Sequence, residues 1–179
     1  MSKSIEKTPQ TLYLGPAYCY SEEDINSLAT EYGASVTDAS QEDIVDLLEK
    51  REIVSIFQGR CENGPRALGN RSILADPRSL KMRDYLNTNV KHREMFRPFA
   101  PVILEKESLN YFDIAKSPFM LQVAKVKKFK KIPSASHIDG TARVQTINKK
   151  QNKVLYELIE EYKKITGVPC LLNTSFNDA

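Results

Sequence analysis

Apolar residues recur with a helical period over some stretches of this chain and with a strand period over others, and this alternation predicts its elements. The longest helical stretch covers residues 153–166 and is followed by Gly167, a residue suited to a left-handed helix end. The predicted core face of this helix consists of Val154, Leu155, Leu158, Ile159, Tyr162 and Ile165.

Four shorter helices are predicted upstream. A capping-box pattern that begins at Ser21 starts the first, which Gly33 ends, and Ser40 starts the second. A third helix runs from about residue 79 to residue 89 after a turn at Asp76-Pro77, and a short one spans residues 106–111. The predicted core positions are Ile25, Leu28, Ala29 and Tyr32 in the first helix, Ile44, Leu47 and Leu48 in the second, and Leu80, Tyr85 and Leu86 in the third.

Short apolar runs between these helices predict strands, of which the first should be buried. The interleaving of strands and helices indicates an α/β domain. We expect this domain to cover residues 12–179, after a polar tail or linker over residues 1–11. The predicted strands are residues 53–57, 73–75, 101–104, 120–126, 143–147 and 168–172.

Charge is distributed unevenly along the chain. The net charge is only +3, but eight of the nine arginines lie in residues 51–100, which carry a local charge of +5. Arginine binds phosphate and carboxylate through a rigid, bidentate fork, whereas lysine acts mainly as a hydrated point charge. The pattern therefore favours a local anion pocket over a basic coat for nucleic acid, and predicts a phosphorylated or carboxylated small molecule as ligand.

Cysteine and histidine usage indicates no zinc site. Cys19, Cys61 and Cys170 form neither a metal-ligand spacing nor an even disulfide framework, and there are two histidines. No apolar run is long enough to span a bilayer and no signal-peptide pattern is present at the N-terminus. The default expectation is a cytoplasmic protein that does not contact a membrane.

The first candidate motif is a glycine-rich loop that carries Arg60, Arg66 and Arg71. If the loop folds back, two or three of these side chains could reach one ligand, and exposed backbone N–H groups could help to cradle an anion. The glycine spacing matches neither a dinucleotide fingerprint nor a P-loop. The alternative is a surface loop whose arginines pair with Glu62 and Asp76.

A second motif extends from Lys91 to Pro101. Lys91 falls near the end of the third predicted helix, where a cation also suits the helix dipole. Arg97 lies between Phe96 and Phe99 in a proline-rich segment that we expect to be half-buried. A buried arginine needs an anionic partner, so Arg97 is either a ligand contact or half of an internal ion pair.

Two further motifs lie downstream. His137 and Asp139 precede Gly140, which indicates a turn into a strand in preference to a metal site, with Arg143 directed into a pocket. Asn173, Thr174 and Ser175 follow the last strand, where short polar side chains suit a ribose or phosphate, or else a helix N-cap. We interpret the lysine-rich run of residues 127–131 as a solvated loop.

Four blocks of sequence, in order, resemble the C-terminal part of the NodU/CmcH-type O-carbamoyltransferases, which modify nodulation factors and several antibiotics. The resemblance covers residues 12–177. The blocks are G-R-x-E-x-G-P-R-A-L-G-x-R-S-I-L-A-D-P from Gly59, K-x-R-E-x-F-R-P-F-A-P from Lys91, H-x-D-G-T-A-R-x-Q-T from His137 and T-G-x-P-x-L-L-N-T-S-F-N from Thr166.

The resemblance implies a YrdC-like domain, with a twisted, mixed sheet flanked by helices. Such a domain binds ATP, with Mg²⁺, and carbamoyl phosphate, and it forms carbamoyl-adenylate. The resemblance further implies that Arg66, Lys91, Arg97 and Arg143 contact the phosphates and the carbamoyl group. The positions implied to bind nucleotide or substrate are Arg60, Arg71, His137, Asn173, Thr174 and Ser175.

In that family a larger N-terminal Kae1-like domain transfers the carbamoyl group to a hydroxyl acceptor and holds a metal. Nothing in residues 1–179 resembles that half, and the chain stops where the family continues through a Gly-Glu-Pro-type segment. We therefore expect a separated C-terminal domain that carries out only the activating half-reaction, with a Kae1-like domain or chain as its partner. The alternatives are a non-catalytic nucleotide-binding or regulatory module and an RNA-binding domain, and the near-neutral charge argues against the latter.

Overall fold

The computed structural model describes residues 11–177, so the predicted tail lies outside the described residues except for Thr11. The helices are α1 (Glu22–Glu31), α2 (Gln41–Glu49), α3 (Leu80–Tyr85), α4 (Ser108–Tyr111) and α5 (Lys153–Thr166). A π-helical segment, Leu86–Val90, continues α3. The strands are β1 (Val54–Phe57), β2 (Arg71–Ala75), β3 (Ala100–Leu104), β4 (Gln122–Lys125), β5 (Thr141–Ile147) and β6 (Cys170–Ser175).

These six strands form one mixed sheet in the order β1-β2-β6-β3-β5-β4. Strands β3 and β5 are parallel, and the other four neighbouring pairs among the described strands are antiparallel. The central strand β6 pairs Ser175 with Ser72 of β2 and Asn173 with Ala100 of β3. The carboxyl end of β6 therefore meets the amino ends of β2, β3 and β5 at one end of the sheet.

Helix α5 has the bounds and the end that the sequence predicts. The Asn152 side chain accepts a hydrogen bond from Leu155 N at 3.0 Å, and Gly167 ends the helix at φ 71°. Four of the six predicted core residues are buried, namely Leu155, Leu158, Ile159 and Tyr162. Val154 and Ile165, at the edges of the apolar stripe, are exposed.

Burial was predicted less well for the shorter elements. Helix α1 has its predicted capping box, but within the described part of the chain none of its residues is buried. Strand β1 lies at the sheet edge with alternating exposure, so the expectation of a buried strand was wrong. Leu80 and Tyr85 are exposed and Met82 is the buried residue of α3, because a six-residue helix carries too few positions to define its inward face.

Candidate functional site

A cleft of about 320 Å³ opens at the end of the sheet where β6 meets β2, β3 and β5. The loop between β1 and β2, the segment before β3, the turn before β5 and the end of β6 each contribute to its wall. The lining residues are Pro65, Arg66, Ala67, Arg93, Arg97, Pro98, Phe99, Ala100, Met120, His137, Arg143, Asn173, Thr174 and Ser175.

Arg66 and Arg143 occupy the cleft as a pair of half-buried cations. Within residues 11–177, the buried Nε–H group of each has no hydrogen-bond partner. Burial, and then the charge of Arg66, lowers the pKa of Arg143, although a guanidinium remains protonated at any physiological pH. Two cations that face one cavity with unpaired donors form an arrangement that an anion would stabilise.

Arg93 and Arg97 line the cleft from the segment before β3. The Nε–H of Arg93 donates to Asn87 Oδ1 at 2.7 Å, and its guanidinium lies 4.6 Å from the centre of the Phe99 ring. Burial, and then the charge of Arg97, lowers the pKa of Arg93. The Arg97 side chain is 52% exposed and lies 3.6 Å from Glu94 in a loose ion pair that a ligand could replace.

Asn87 connects these two arginines from beneath the cleft. It is fully buried in the π-helical segment, and its Nδ2 donates to the carbonyls of Met95 at 3.2 Å and Arg97 at 2.8 Å. One amide side chain therefore holds the Arg93 guanidinium and the backbone of Arg97 together. Sequence reasoning missed both Asn87 and Arg93, although Arg93 stands four residues before Arg97 in the second block.

The glycine-rich loop is held by hydrogen bonds to its own backbone. Glu62 Oε1 accepts from the N–H groups of Leu68 at 2.7 Å and Asn70 at 2.9 Å. Asn70 Nδ2 donates to Arg60 O at 2.7 Å. Glu62 therefore stabilises the backbone on either side of the turn. The alternative, in which Glu62 pairs with arginines of the loop, is not observed among the described residues.

Gly69 allows this loop to pack on α5. Its φ is 111°, and a Cβ built there would lie 2.4 Å from Leu155 Cδ2. We expect Gly69→Ala to lower the free energy of unfolding by about 2 kcal/mol, from backbone strain and overpacking together. Gly167→Ala is the matched control, because Gly167 also has positive φ but has no atom within 4 Å of the Cβ position. Equal losses in urea denaturation would contradict the packing contribution.

Arg60 and Arg71 lie outside the cleft lining. The Nε–H of Arg60 donates to Gly15 O at 2.9 Å and so holds the N-terminal segment against the loop. Arg71 stacks 3.6 Å from the Phe57 ring centre and donates to Gln58 O at 2.5 Å. The structure therefore gives both arginines local contacts with the protein.

Lys91 lies beside the cleft and is 4% exposed. Its ammonium donates to Ser175 O at 2.7 Å and to Asn177 O at 2.5 Å. These contacts hold the end of β6, where Ser175 reaches the cleft lining. Lys91 therefore holds Ser175 in position and does not itself line the cleft.

His137 lines the cleft next to a turn at Asp139-Gly140, and the turn is the one that the sequence predicts. Thr141 Oγ1 donates to Asp139 Oδ1 at 2.7 Å and therefore accepts from His137 Nδ1, 3.1 Å away, when the ring is neutral. Burial is the main cause that lowers the pKa of His137; the Arg143 charge lowers it further and Asp139 opposes both. These causes together favour the neutral imidazole at neutral pH.

This lowered pKa makes stability depend on pH. The unfolded chain binds a proton at His137 near pH 6.5, whereas the folded chain binds it only at lower pH, so stability should fall as the pH drops below about 6.5. We expect the urea midpoint to decrease between pH 7.5 and pH 5.5. The decrease should be smaller in His137→Gln, and an identical decrease in both proteins would contradict the assignment.

The end of β6 supplies the uncharged polar part of the cleft. The structure extends β6 to Ser175, so Asn173 and Thr174 lie on the strand and not in a loop after it. Asn173 is 1% exposed, and its Nδ2 donates to Gln145 Oε1 at 2.7 Å and to Ala67 O at 3.2 Å. Its Oδ1 has no partner among the described residues.

The charge of the cleft is of one sign. No Asp or Glu belongs to the lining described above, which contains four arginines. Within residues 11–177 no group of three or more His, Cys, Asp or Glu side chains could hold a metal ion. The cleft offers hydrogen-bond donors and positive charge, which is the chemistry of an anion site.

The sequence around this cleft matches a known family model. The model for the carbamoyltransferase C-terminus covers residues 45–179, which include every lining residue of the cleft. This chain belongs to the carbamoyltransferase C-terminal family. The family expected from the four blocks is thereby confirmed.

Relatives of this carbamoyltransferase C-terminal domain are longer proteins. The chain is 48% identical over 132 residues to nodulation protein NolNO of Sinorhizobium fredii, covering 70% of this chain and 19% of that protein. It is 44% identical over 138 residues to nodulation protein U of Rhizobium tropici, a match that covers 75% of this chain and 24% of that protein. The chain is also 47% identical over 135 residues to MJ1058, an uncharacterised protein of Methanocaldococcus jannaschii, a match that covers 74% of this chain and 22% of that protein. The chain thus spans about a quarter or less of these relatives.

A solved structure shares the fold of this carbamoyltransferase C-terminal domain. Full-length HypF in its phosphate- and nucleotide-bound form aligns with a TM-score of 0.50 and 18% identity, over 80% of this chain and 18% of that one. Together with the mixed six-stranded sheet, this likeness confirms the expected YrdC-like α/β fold class. No helix among the described residues is both long enough and apolar enough to cross a membrane.

Proposed function

We propose that this chain is the activating half of a carbamoyltransferase, which binds ATP and carbamoyl phosphate in the cleft and forms carbamoyl-adenylate. The observation that supports this most is the convergence of Arg66, Arg93, Arg97 and Arg143 on a cavity lined by no carboxylate of the described chain. Family membership supports carbamoyl-group chemistry in particular.

The proposed reaction joins two anions. Water cleaves carbamoyl phosphate to carbamate and phosphate, and a carbamate oxygen then attacks the α-phosphorus of ATP. A bond from that oxygen to phosphorus forms, the bond from phosphorus to the bridging oxygen breaks, and pyrophosphate leaves. Such a reaction depends on positioning and on neutralising negative charge, and it needs no nucleophilic side chain.

The four arginines would contact different parts of the ligand according to how deeply each is buried in the cleft. Arg66 and Arg143, with buried unpaired Nε–H groups, suit the part of the ligand that carries the developing charge. Arg93 is held rigidly by Asn87 and Phe99, whereas the exposed Arg97 can exchange Glu94 for a phosphate. ATP would enter as its Mg²⁺ complex with the ion on the phosphate oxygens, where it neutralises charge, since the cleft itself provides no carboxylate ligand.

The second half-reaction, transfer to a hydroxyl acceptor, is proposed for a Kae1-like domain or partner chain. The relatives are four to five times as long as the matched region, as the 19% to 24% coverage shows, so they have room for such a domain. The carbamoyl-adenylate would have to pass from this cleft to that partner.

Pyrophosphate exchange tests the activating step directly. With ATP, Mg²⁺ and carbamoyl phosphate, we expect the chain to incorporate labelled pyrophosphate into ATP, and to do so only when carbamoyl phosphate is present. A parallel calorimetric titration with α,β-methylene-ATP, which cannot release pyrophosphate, measures binding alone. Saturable binding without exchange would replace the proposal with a non-catalytic nucleotide-binding module, and no binding of either ligand would overturn it.

A further inference from the structure

Residues 12–17, which we call the strap, run along the first half of the glycine-rich loop. Cys61 N–H donates to Pro16 O at 3.0 Å, and Cys61 O accepts from Gly15 N–H at 2.9 Å. Two residues further along the loop, the N–H of Asn63 donates to the first carbonyl of the strap at 2.7 Å. Backbone hydrogen bonds therefore attach the first half of the loop to the strap.

The strap also reaches the second half of this loop. Tyr13 OH donates to Leu68 O at 2.9 Å. Leu68 is 2% exposed, and Tyr13 packs against the small apolar cluster that contains it. Arg66 lies between Asn63 and Leu68 along the chain, so both ends of the segment that carries Arg66 are attached to the strap.

The contact between the strap and the loop leaves no room for a side chain at Gly15. A Cβ built there would lie 2.7 Å from Cys61 Cβ and 2.9 Å from Cys61 O, and the φ of Gly15 is not in the left-handed region. Glycine is therefore required by the close approach and not by the backbone conformation. The Arg60 guanidinium strengthens the contact, because it donates to the carbonyls of Leu14 and Gly15, each at 2.9 Å.

Arg66 depends on this support more than a residue of a helix or strand would. Residues 61–70 contain neither a helix nor a strand, so no regular hydrogen-bond ladder fixes their backbone. The buried Nε–H of Arg66 has no partner in the described chain that could hold the side chain from the other end. The place of the Arg66 charge in the cleft is therefore set by the backbone of the loop.

We propose that the strap is part of the anion site, where it positions Arg66 by holding both halves of the glycine-rich loop. Tyr13 and Arg60 act in it as positioning residues. The strap lies before residue 45, where the matched family region begins, so the site extends beyond that region. This inference rests on the part of the proposed function in which Arg66 binds phosphate groups.

A double-mutant cycle between the strap and the arginines tests this positioning. Gly15→Ala should weaken calorimetrically measured pyrophosphate binding to the full chain by about tenfold, within what the loss of one charge-assisted contact costs. In an Arg66→Ala background the same substitution should change the affinity by less than about twofold, whereas in an Arg143→Ala background the loss of about tenfold should persist. An equal loss in both backgrounds, or no loss in the unmodified background, would overturn the inference.

Hydrogen exchange gives a second measurement that needs no ligand. The amides of Cys61 and Asn63, which donate to the strap, should exchange faster in Gly15→Ala than in the unmodified chain, and unchanged rates would overturn the inference. Gly167→Ala is the control for a general loss of stability, because Gly167 has a φ of 71° and lies outside the cleft lining. It should leave pyrophosphate affinity unchanged, and a loss equal to that of Gly15→Ala would attribute the effect to stability alone.

A second variant covers the case in which Gly15→Ala does not fold. Arg60→Met keeps a long side chain, adds no clash at the strap and removes both hydrogen bonds to it, so the same cycle and the same outcomes apply. The proposed reaction is tested separately by pyrophosphate exchange. Coupling to Arg66 without exchange would overturn only that reaction, whereas no binding of pyrophosphate by the unmodified chain would overturn the anion site and the strap's role in it.

Discussion

Replacing Arg66 and Arg143 together by alanine is expected to weaken pyrophosphate binding by about a hundredfold to ten-thousandfold. A hydrogen bond between charged groups contributes about 1.5–3 kcal/mol, and both side chains hold a buried Nε–H without a partner in the described chain. The loss should stay below the sum of the single effects, because each variant also removes repulsion between the two cations. Calorimetric titration of the two single variants and the double variant measures this.

The matched control removes two cations elsewhere. Lys81 and Arg83 lie on α3 outside the cleft lining, and Arg83 pairs with its neighbour Asp84 at 2.8 Å. Replacing both residues by alanine changes the net charge by the same amount as replacing Arg66 and Arg143. This variant therefore measures only the long-range electrostatic contribution to pyrophosphate binding, which 150 mM salt reduces. Similar losses in both double variants would mean that pyrophosphate responds to overall charge and that the cleft is not its site.

Asp76→Ala is expected to destabilise the fold by about 3 kcal/mol. Asp76 is fully buried after β2, where it accepts two hydrogen bonds from the Arg78 guanidinium at 2.8–3.0 Å and one from Tyr162 OH at 2.8 Å. Burial, followed by the charge of Asp76, raises the pKa of Tyr162. Without the carboxylate, the Tyr162 hydroxyl is left buried and unpaired and the Arg78 cation loses its closest anion.

Asp84→Ala serves as the comparison for this prediction. The Arg83–Asp84 pair has the same 2.8 Å separation as Arg78–Asp76, but the Asp84 side chain is 36% exposed against 0% for Asp76. An exposed pair contributes less than about 1 kcal/mol, so urea denaturation should separate the two variants clearly. Comparable losses would show that burial does not determine the contribution of the Asp76 contacts.

Local sequence predicted elements better than it predicted their surroundings. The bounds of α5 follow from a fourteen-residue apolar stripe with a glycine after it, and the capping box at Ser21 places the start of α1. Neither pattern indicates what covers an apolar face, so Ile25 and Leu28 were expected in the core and are 44% and 48% exposed. The edge position of β1 is likewise decided by strand order, which local sequence does not contain.

The same distinction applies to the cleft. The clustering of arginines predicted an anion site, but eight of the nine lie in loops, turns or strands, where the direction of a side chain does not follow from a helical period. On a strand, a shift of one residue reverses that direction. Arg66 and Arg143, separated by 77 positions, line one cleft because the β1–β2 loop and the amino end of β5 lie at the same end of the sheet. Arg71 belongs to the same block as Arg66 but stacks on Phe57, a contact set by the pairing of β1 with β2.

The place of β6 in the sheet has a consequence for synthesis. The strand joins β1-β2 on one side to β3-β5-β4 on the other, yet its residues, Cys170–Ser175, are translated after all the other strands. Until this strand leaves the ribosomal exit tunnel, β2 and β3 lack the strand that joins them, and each has an edge that only β6 covers in the final sheet. Because Asn173 and Ser175 lie on the same strand, the cleft is completed in the step that closes the sheet.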